Sequence, residues 1–130
     1  MAPVLTLSKN ERLNSRKLID KIFKREGEII TKFPLSFIFL QHTLDSSAPA
    51  QVLVSVPARK IRKAHDRNKI KRQIRECYRL NKPLIYDAIT NKPGTQYVIC
   101  MMYLANTMPE FSEIELKSKF LIDEFIKRIS

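Results

Sequence analysis

Residues 96–104, QYVICMMYL, are apolar almost without interruption, and this run narrows the folds open to the chain. A strand with one wet face alternates apolar and polar residues. A run without alternation suits a central strand covered on both faces. The turn signal NKPG, 91–94, stands just before it.

The elements needed to cover such a strand can be read on either side of it. Residues 8–25 predict a helix: Ser8 and Glu11 have capping-box spacing, and Leu13, Ile19, Ile22 and Phe23 give an apolar stripe. Lys9, Arg12, Arg16, Lys17, Lys21, Lys24 and Arg25 occupy much of the remaining surface, and Gly27 fits a helix terminator. FPLSFIFLQH, 33–42, reads as a strand, and LDSSAPA, 44–50, as a loop. QVLVSV, 51–56, reads as a second strand ended by Pro57, expected to pair with the first as an antiparallel hairpin. A basic connector over 58–63 leads to a helix from Ala64 to Lys82. Pro83 is expected to end or kink it, with a short helical piece over 84–90. FSEIELKSKFLIDEFIKRI, 111–129, predicts an amphipathic helix opened by a Ser112–Glu115 capping box. Its expected buried face is Leu116, Phe120, Leu121, Phe125, Ile126 and Ile129. The order α-β-β-α-β-α makes an α+β two-layer sandwich, one domain over 1–130 with a flexible lead-in over 1–7.

Charge is distributed unevenly along this frame. The 130 residues carry a net +11 with 44% hydrophobic content, too apolar for a disordered basic tail. Residues 59–82 hold eleven Lys or Arg against two acids, so +9 of the +11 lies in one stretch. Localised charge of this kind points to a polyanion, nucleic acid before membrane surface. On a helical wheel Arg67, Lys71, Arg75, Asn68, Arg79 and Arg72 share one arc of ~140°, with Ile70, Ile74, Cys77 and Tyr78 assigned to the other side. From Arg67 to Arg79 is roughly 18 Å, long enough to follow several phosphates. Charged helix faces are usually just solvated, but this one is unmixed. Like charges at i, i+4 cost a few tenths of a kcal/mol per pair without a counterion.

Other chemistries find less support. Cys77 and Cys100 match no metal or redox spacing and read as buried reduced thiols of a cytoplasmic protein. MAPVLTLSKNERL lacks the apolar core of a signal peptide, and no stretch approaches a membrane span. Asp20, Asp66, Glu76, Asp87 and Asp123 form no cluster and His42 and His65 are isolated, so an autonomous nuclease is disfavoured and no catalytic residue is expected. A DNA-reading helix-turn-helix would need a companion helix just upstream, where a strand ending SVPARK stands instead.

RNKIKRQIRE, 67–76, resembles the bacterial ribonuclease P protein component, whose pattern is Arg-Asn-x-x-Lys-Arg-x-x-Arg-Glu on a helix following a strand. Arg67, Asn68, Lys71, Arg72, Arg75 and Glu76 match. ERLNSRKLIDKIFKREG is similar to the family's N-terminal helix and LVSVPARK to its second strand, so the resemblance spans roughly residues 8–126. The chain departs from the pattern in a connector that lacks the family's glycine and adds Pro57, in Lys69, and in Ile19 where the family often has Phe.

The resemblance implies a left-handed strand–helix–strand crossover, against a general preference of about 98% for the right-handed form. It implies a protein without an active site of its own, a monomer in a one-to-one ribonucleoprotein with ribonuclease P RNA and no membrane contact. The RNA subunit would remove the 5′ leader of precursor tRNA with Mg²⁺. Arg67, Asn68, Lys71, Arg72, Arg75 and Arg79, extended by Arg59, Lys60, Arg62 and Lys63, would bind the RNA. Asn68 would lie near RNA-bound Mg²⁺, with no metal held tightly by the protein. Arg12, Ile19 and Phe23 would line a leader cleft. Phe37 or Phe39 is a further candidate there, with at least one expected in the core. The alternative is a ribosomal or other structured-RNA-binding protein without a processing role.

Overall fold

The structure, a computed structural model, describes residues 7–24 and 26–130. Apart from Leu7 the lead-in lies outside the described residues, as does Arg25. Leu7 itself packs against the main core.

A 3₁₀ turn, Lys9–Glu11, precedes α1, Arg16–Phe23. Strands β1, Glu28–Lys32, β2, Leu35–Gln41, and β3, Ala50–Ser55, follow. Then come α2, Ala64–Thr90, β4, Tyr97–Tyr103, and α3, Phe111–Ile129. The fold is α+β, with one mixed sheet in the order β1-β2-β4-β3. The apolar run is indeed an inner strand: β4 lies antiparallel to β2 and parallel to β3, with Val98, Ile99, Cys100 and Met101 all buried.

Several expectations are corrected here. β2 and β3 are not a hairpin, because β4 lies between them. The hairpin is β1–β2, turned at Phe33 and Pro34, whose peptide bond is cis. The loop from β2 to β3 instead crosses the end of β4, fastened by the Gln96 side chain. Its amide donates to the Ser46 and Ala48 carbonyls at 2.7 and 2.9 Å and accepts from the Leu44 N–H at 2.9 Å. β1 escapes a pattern search because it is a five-residue edge strand with only Ile30 buried. The helix expected over 8–25 is two pieces. The Ser8–Glu11 box caps only the 3₁₀ turn, and Ser15 caps α1 by accepting from the Leu18 N–H. Between them Arg12 pairs beside Val52, and the Leu13 N–H donates to the Val52 carbonyl at 2.9 Å, covering the β3 edge. α1 ends before Gly27, which serves another need: a Cβ there would stand 2.3 Å from the Phe39 carbonyl oxygen. The turn at 91–94 is present, with Gly94 at φ 84°.

α2 runs unbroken for 27 residues through Pro83. Ile70, Ile74, Cys77, Tyr78, Ile85 and Ile89 bury one stripe of it against the sheet. α3 begins at Glu110 as N-cap, not Ser112, and buries Ile114, Ser118, Leu121, Ile122, Phe125 and Ile129. Leu116 and Phe120, expected inside, point outward.

Each sheet face has its own core. On the α2/α3 side Phe37, Phe39 and Tyr97 surround Phe125 with ring centroids 5.1, 4.8 and 5.5 Å away. On the other side Leu13, Leu18 and Ile22 cover Ile38, Val98 and Cys100. Both thiols are buried. Burial raises the pKa of Cys77 and pushes that of Cys100 up to about 12.

A buried ion pair ties the N-terminal segment to α2. The Glu11 carboxylate meets Lys82 Nζ at 3.0 Å, and accepts from the Tyr86 hydroxyl and from the Ser8 N–H at 2.9 Å. Burial raises the Glu11 pKa, but the bonds from Tyr86, Ser8 and Lys82 outweigh it and the net shift is downward. Glu11→Ala leaves Lys82 buried without its carboxylate and should destabilise the fold by about 3 kcal/mol in urea unfolding. Because the folded pKa is depressed, the contribution is present above the ordinary value of 4.5 and disappears as pH falls through the lowered one. The stability gap between wild type and Glu11→Gln should therefore shrink below pH 4.5. A gap constant across the acid range would show that Glu11 is not linked to folding.

Candidate nucleic-acid interface

The stripe of α2 buried against the sheet fixes which side faces out. Asn68, Lys69, Arg72 and Arg75 are exposed, and Arg67, Lys71 and Arg79 are half-buried along the margins. The wheel accounts for the margin. Tyr78 falls at about 20° from Arg67, between it and Lys71, so the core arc reaches further round than first assigned. Tyr78 is fully buried there.

The basic residues are not equivalent. The Arg67 guanidinium donates to the Ile61 carbonyl at 3.0 Å and the Arg62 carbonyl at 2.7 Å, fastening the connector to the first turn of α2. The connector itself turns at Pro57, whose carbonyl accepts from the N–H groups of Lys60 and Ile61 at 3.0 and 3.2 Å. Pro57 thus starts the turn in a connector without glycine. Arg79 donates from Nε to Glu76 at 3.0 Å and from a second nitrogen to its other oxygen. That two-point bond lowers the Glu76 pKa and raises that of Arg79. Arg72 and Arg75 carry their charge into solvent.

Three hollows surround this face. Arg59, Lys60, Arg62 and Lys63 line one of about 400 Å³, closed on its far side by Asn106 and Met108. A second, of about 420 Å³, lies between Arg12 and the row Arg72, Arg75, Glu76 and Arg79, with Leu7 at its edge. A third, of about 340 Å³, runs from Lys9, Arg12 and Asn14 across Leu53 on β3 to Arg75. Arg12, assigned from sequence to a separate cleft, therefore joins the α2 row. Sequence reasoning missed Asn106 and Met108, which are far in sequence from the basic stretch, and Leu53, an uncharged strand residue just upstream of it.

The expected cleft residues divide between the two sheet faces. Ile19 is half-buried on α1 and, like Leu40 and Leu53, packs against the smaller core, and Phe23 is exposed at the end of α1. Phe37 and Phe39 cannot join them. Two residues apart on one strand, they share a face, and it is the α2/α3 face, where both are core. By the same alternation the α1 side presents Leu40, Leu53, Ser55 and Met102, all half-buried. Among the described residues no three His, Cys, Asp or Glu side chains gather as a metal site, and no helix is long and apolar enough to cross a membrane.

A protein-family model described as Ribonuclease P matches residues 7–124. The chain belongs to the ribonuclease P protein family. The ribonuclease P protein component of Porphyromonas gingivalis strain W83 is 34% identical over 113 residues, 87% of this chain and 81% of that protein. Solved structures share the fold. The RNase P protein of Staphylococcus aureus superposes with a TM-score of 0.68 at 17% identity, covering 88% of this chain and 94% of the other. That of Thermotoga maritima gives 0.67 at 24%, covering 88% and 96%.

The two kinds of arginine are separable by experiment. Arg67→Ala should lower stability by about 1.5 kcal/mol, since two charged hydrogen bonds to the connector are lost. Arg72→Ala, at an exposed position, should stay within about 0.5 kcal/mol of wild type. Equal losses in urea titration would contradict the clamp assigned to Arg67.

Proposed function

We propose that this chain is the protein subunit of a cytoplasmic ribonuclease P, which removes the 5′ leader of precursor tRNA. The observation that carries the reading is the exposed Arg72–Arg75–Asn68 face on α2 of a member of this family. In this reading that face, with Lys71 and the hollow lined by Arg59, Lys60, Arg62 and Lys63, grips the catalytic RNA through its backbone. A-form RNA has a major groove too narrow for a helix, so recognition is by phosphate and shape. Arg guanidinium groups suit phosphate geometry. Arg67 contributes by holding the connector, and Arg79 acts together with Glu76.

The leader runs along the α1 side of the sheet, past Arg12, Ile19 and Phe23. An exposed aromatic there can stack on an unpaired base for about 1–3 kcal/mol. Mg²⁺ belongs to the RNA subunit and supplies the hydrolytic chemistry. The donor set fits an auxiliary role only: Asn68 offers one neutral oxygen beside an RNA-held ion. The protein's own work is to add positive charge and orient the substrate.

The test is cleavage of precursor tRNA at low Mg²⁺ by the matched ribonuclease P RNA, with and without the chain. Cleavage at the mature 5′ end only with both components is the expected result. Absence of stimulation would favour a structured-RNA-binding protein without a processing role, and cleavage by the chain alone would reveal an active site of its own. Arg72→Ala should weaken RNA binding and reduce the salt slope by about one unit, as the loss of one phosphate contact does. An unchanged slope would remove it from the interface. Phe23→Ala should weaken binding of leader-bearing substrate more than that of mature tRNA, and equal losses would remove Phe23 from the leader path.

A further inference from the structure

α3 has a second face that the core does not use. Opposite its buried stripe, an arc of ~120° holds Asp123, Leu116, Lys127, Phe120, Glu113 and Lys117. Leu116 is 67% exposed and Phe120 43%, on a helix whose expected core face included both. The apolar area extends beyond α3. Glu28 meets Arg128 at 3.4 Å and Lys32 Nζ lies 4.7 Å from the centre of the Phe120 ring, so β1 runs antiparallel to α3 beside it. Phe33, 65% exposed, follows Lys32 in the direction of Leu116. Phe33, Phe120 and Leu116 thus lie along one flank of the molecule.

The electrostatics of this flank differ from those of the basic face of α2. α3 carries four acids and four bases, net zero, in a chain of net +11. Neutral apolar surface gains little from a phosphate backbone and much from protein. Two strongly basic chains also approach there with less repulsion than at the basic face of α2.

The order of charges along α3 suits a second copy of the same helix. Phe120 is the middle residue of Phe111–Ile129. In an antiparallel pair of such helices, residues equally distant from Phe120 face one another. Glu113 and Lys127 lie seven residues to either side, and Lys117 and Asp123 three. Both pairings set opposite charges together, and a two-fold axis repeats each of them. At the centre of such a pair Phe120 would meet its own copy, and Leu116 would lie over the methylene stem of Glu124 of the second copy. Within one chain Asp123 pairs with Lys119 at 3.2 Å and Lys127 with Glu124 at 3.9 Å. Those pairs are exposed and worth little, so exchanging them across an interface is not opposed.

We infer that α3 is the surface through which two copies of this chain associate, helix against antiparallel helix about a two-fold axis at Phe120. The contact uses none of the side chains assigned to RNA. Each copy keeps its one-to-one relation to an RNA subunit, and the inference stands apart from the proposed function.

Sedimentation equilibrium of the full chain without RNA, over a wide concentration range, tests it. A reversible monomer–dimer equilibrium is expected. Leu116→Glu and Phe120→Glu should each raise the dimer Kd at least about tenfold, with unchanged circular dichroism because both positions are exposed. Lys117→Glu, near the helix middle, should raise it about fivefold by setting acids opposite Asp123. Adding Asp123→Lys should restore the wild-type value. That rescue distinguishes this arrangement from a merely sticky surface. A wild-type chain that stays monomeric throughout overturns the inference, even if it then captures a different protein. So does a dimer indifferent to Leu116→Glu, or a charge reversal that fails to rescue.

Discussion

The parallel pairing of β3 with β4 is the constraint on which the rest of the molecule depends. Parallel neighbours cannot be joined by a tight turn, so the chain must travel the length of the sheet before β4 begins. α2 is that journey. Because it lies on the sheet, one stripe is committed to the core, and the opposite face is held at a fixed angle to everything else. A basic helix on a flexible arm would present its charges in every direction. Here the Arg and Asn side chains have one address, set by Ile70, Ile74 and Tyr78 beneath them.

The sheet works on both faces, which is how 130 residues accommodate two different surfaces. α2 and α3 seal one face around Phe125, and the short α1 covers only part of the other. The N-terminal segment joins the two sides. It closes the β3 edge beside Val52 and inserts Glu11 between Lys82 and Tyr86, so that Arg12 stands across from Arg72 and Arg75. A lone buried charge would be intolerable there; paired and hydrogen-bonded, it fixes the path of the segment.

Local pattern was enough wherever an element is judged by its own residues. The two-sided run of β4, the terminal helix and the NKPG turn are where periodicity and turn chemistry put them, and the long basic helix starts where expected but continues through Pro83 instead of stopping there. What depends on a distant residue was not legible. Adjacent strands usually pair, and nothing in LDSSAPA says that Gln96 will draw that loop across the end of β4. Glu11 reads as half of a capping box, which it is, but its partnership with Lys82 lies 71 residues away. Leu116 and Phe120 were placed inside because a helical stripe of period near 3.6 can be drawn through either side of an amphipathic helix this rich in apolar residues. In the interface the basic row was legible, whereas the division of labour among its arginines was not. Only the folded connector brings the Ile61 and Arg62 carbonyls to Arg67.

Both native sulfhydryls lie sealed in the two cores, with Cys100 protonated at any pH the fold is expected to meet. Thiol-directed reagents therefore find no natural target on the folded chain. A cysteine placed at any exposed site becomes a unique chemical handle. A fluorophore, spin label or photocrosslinker can be attached there with the wild-type thiols left in place, which makes this fold a ready scaffold for mapping neighbouring RNA one position at a time.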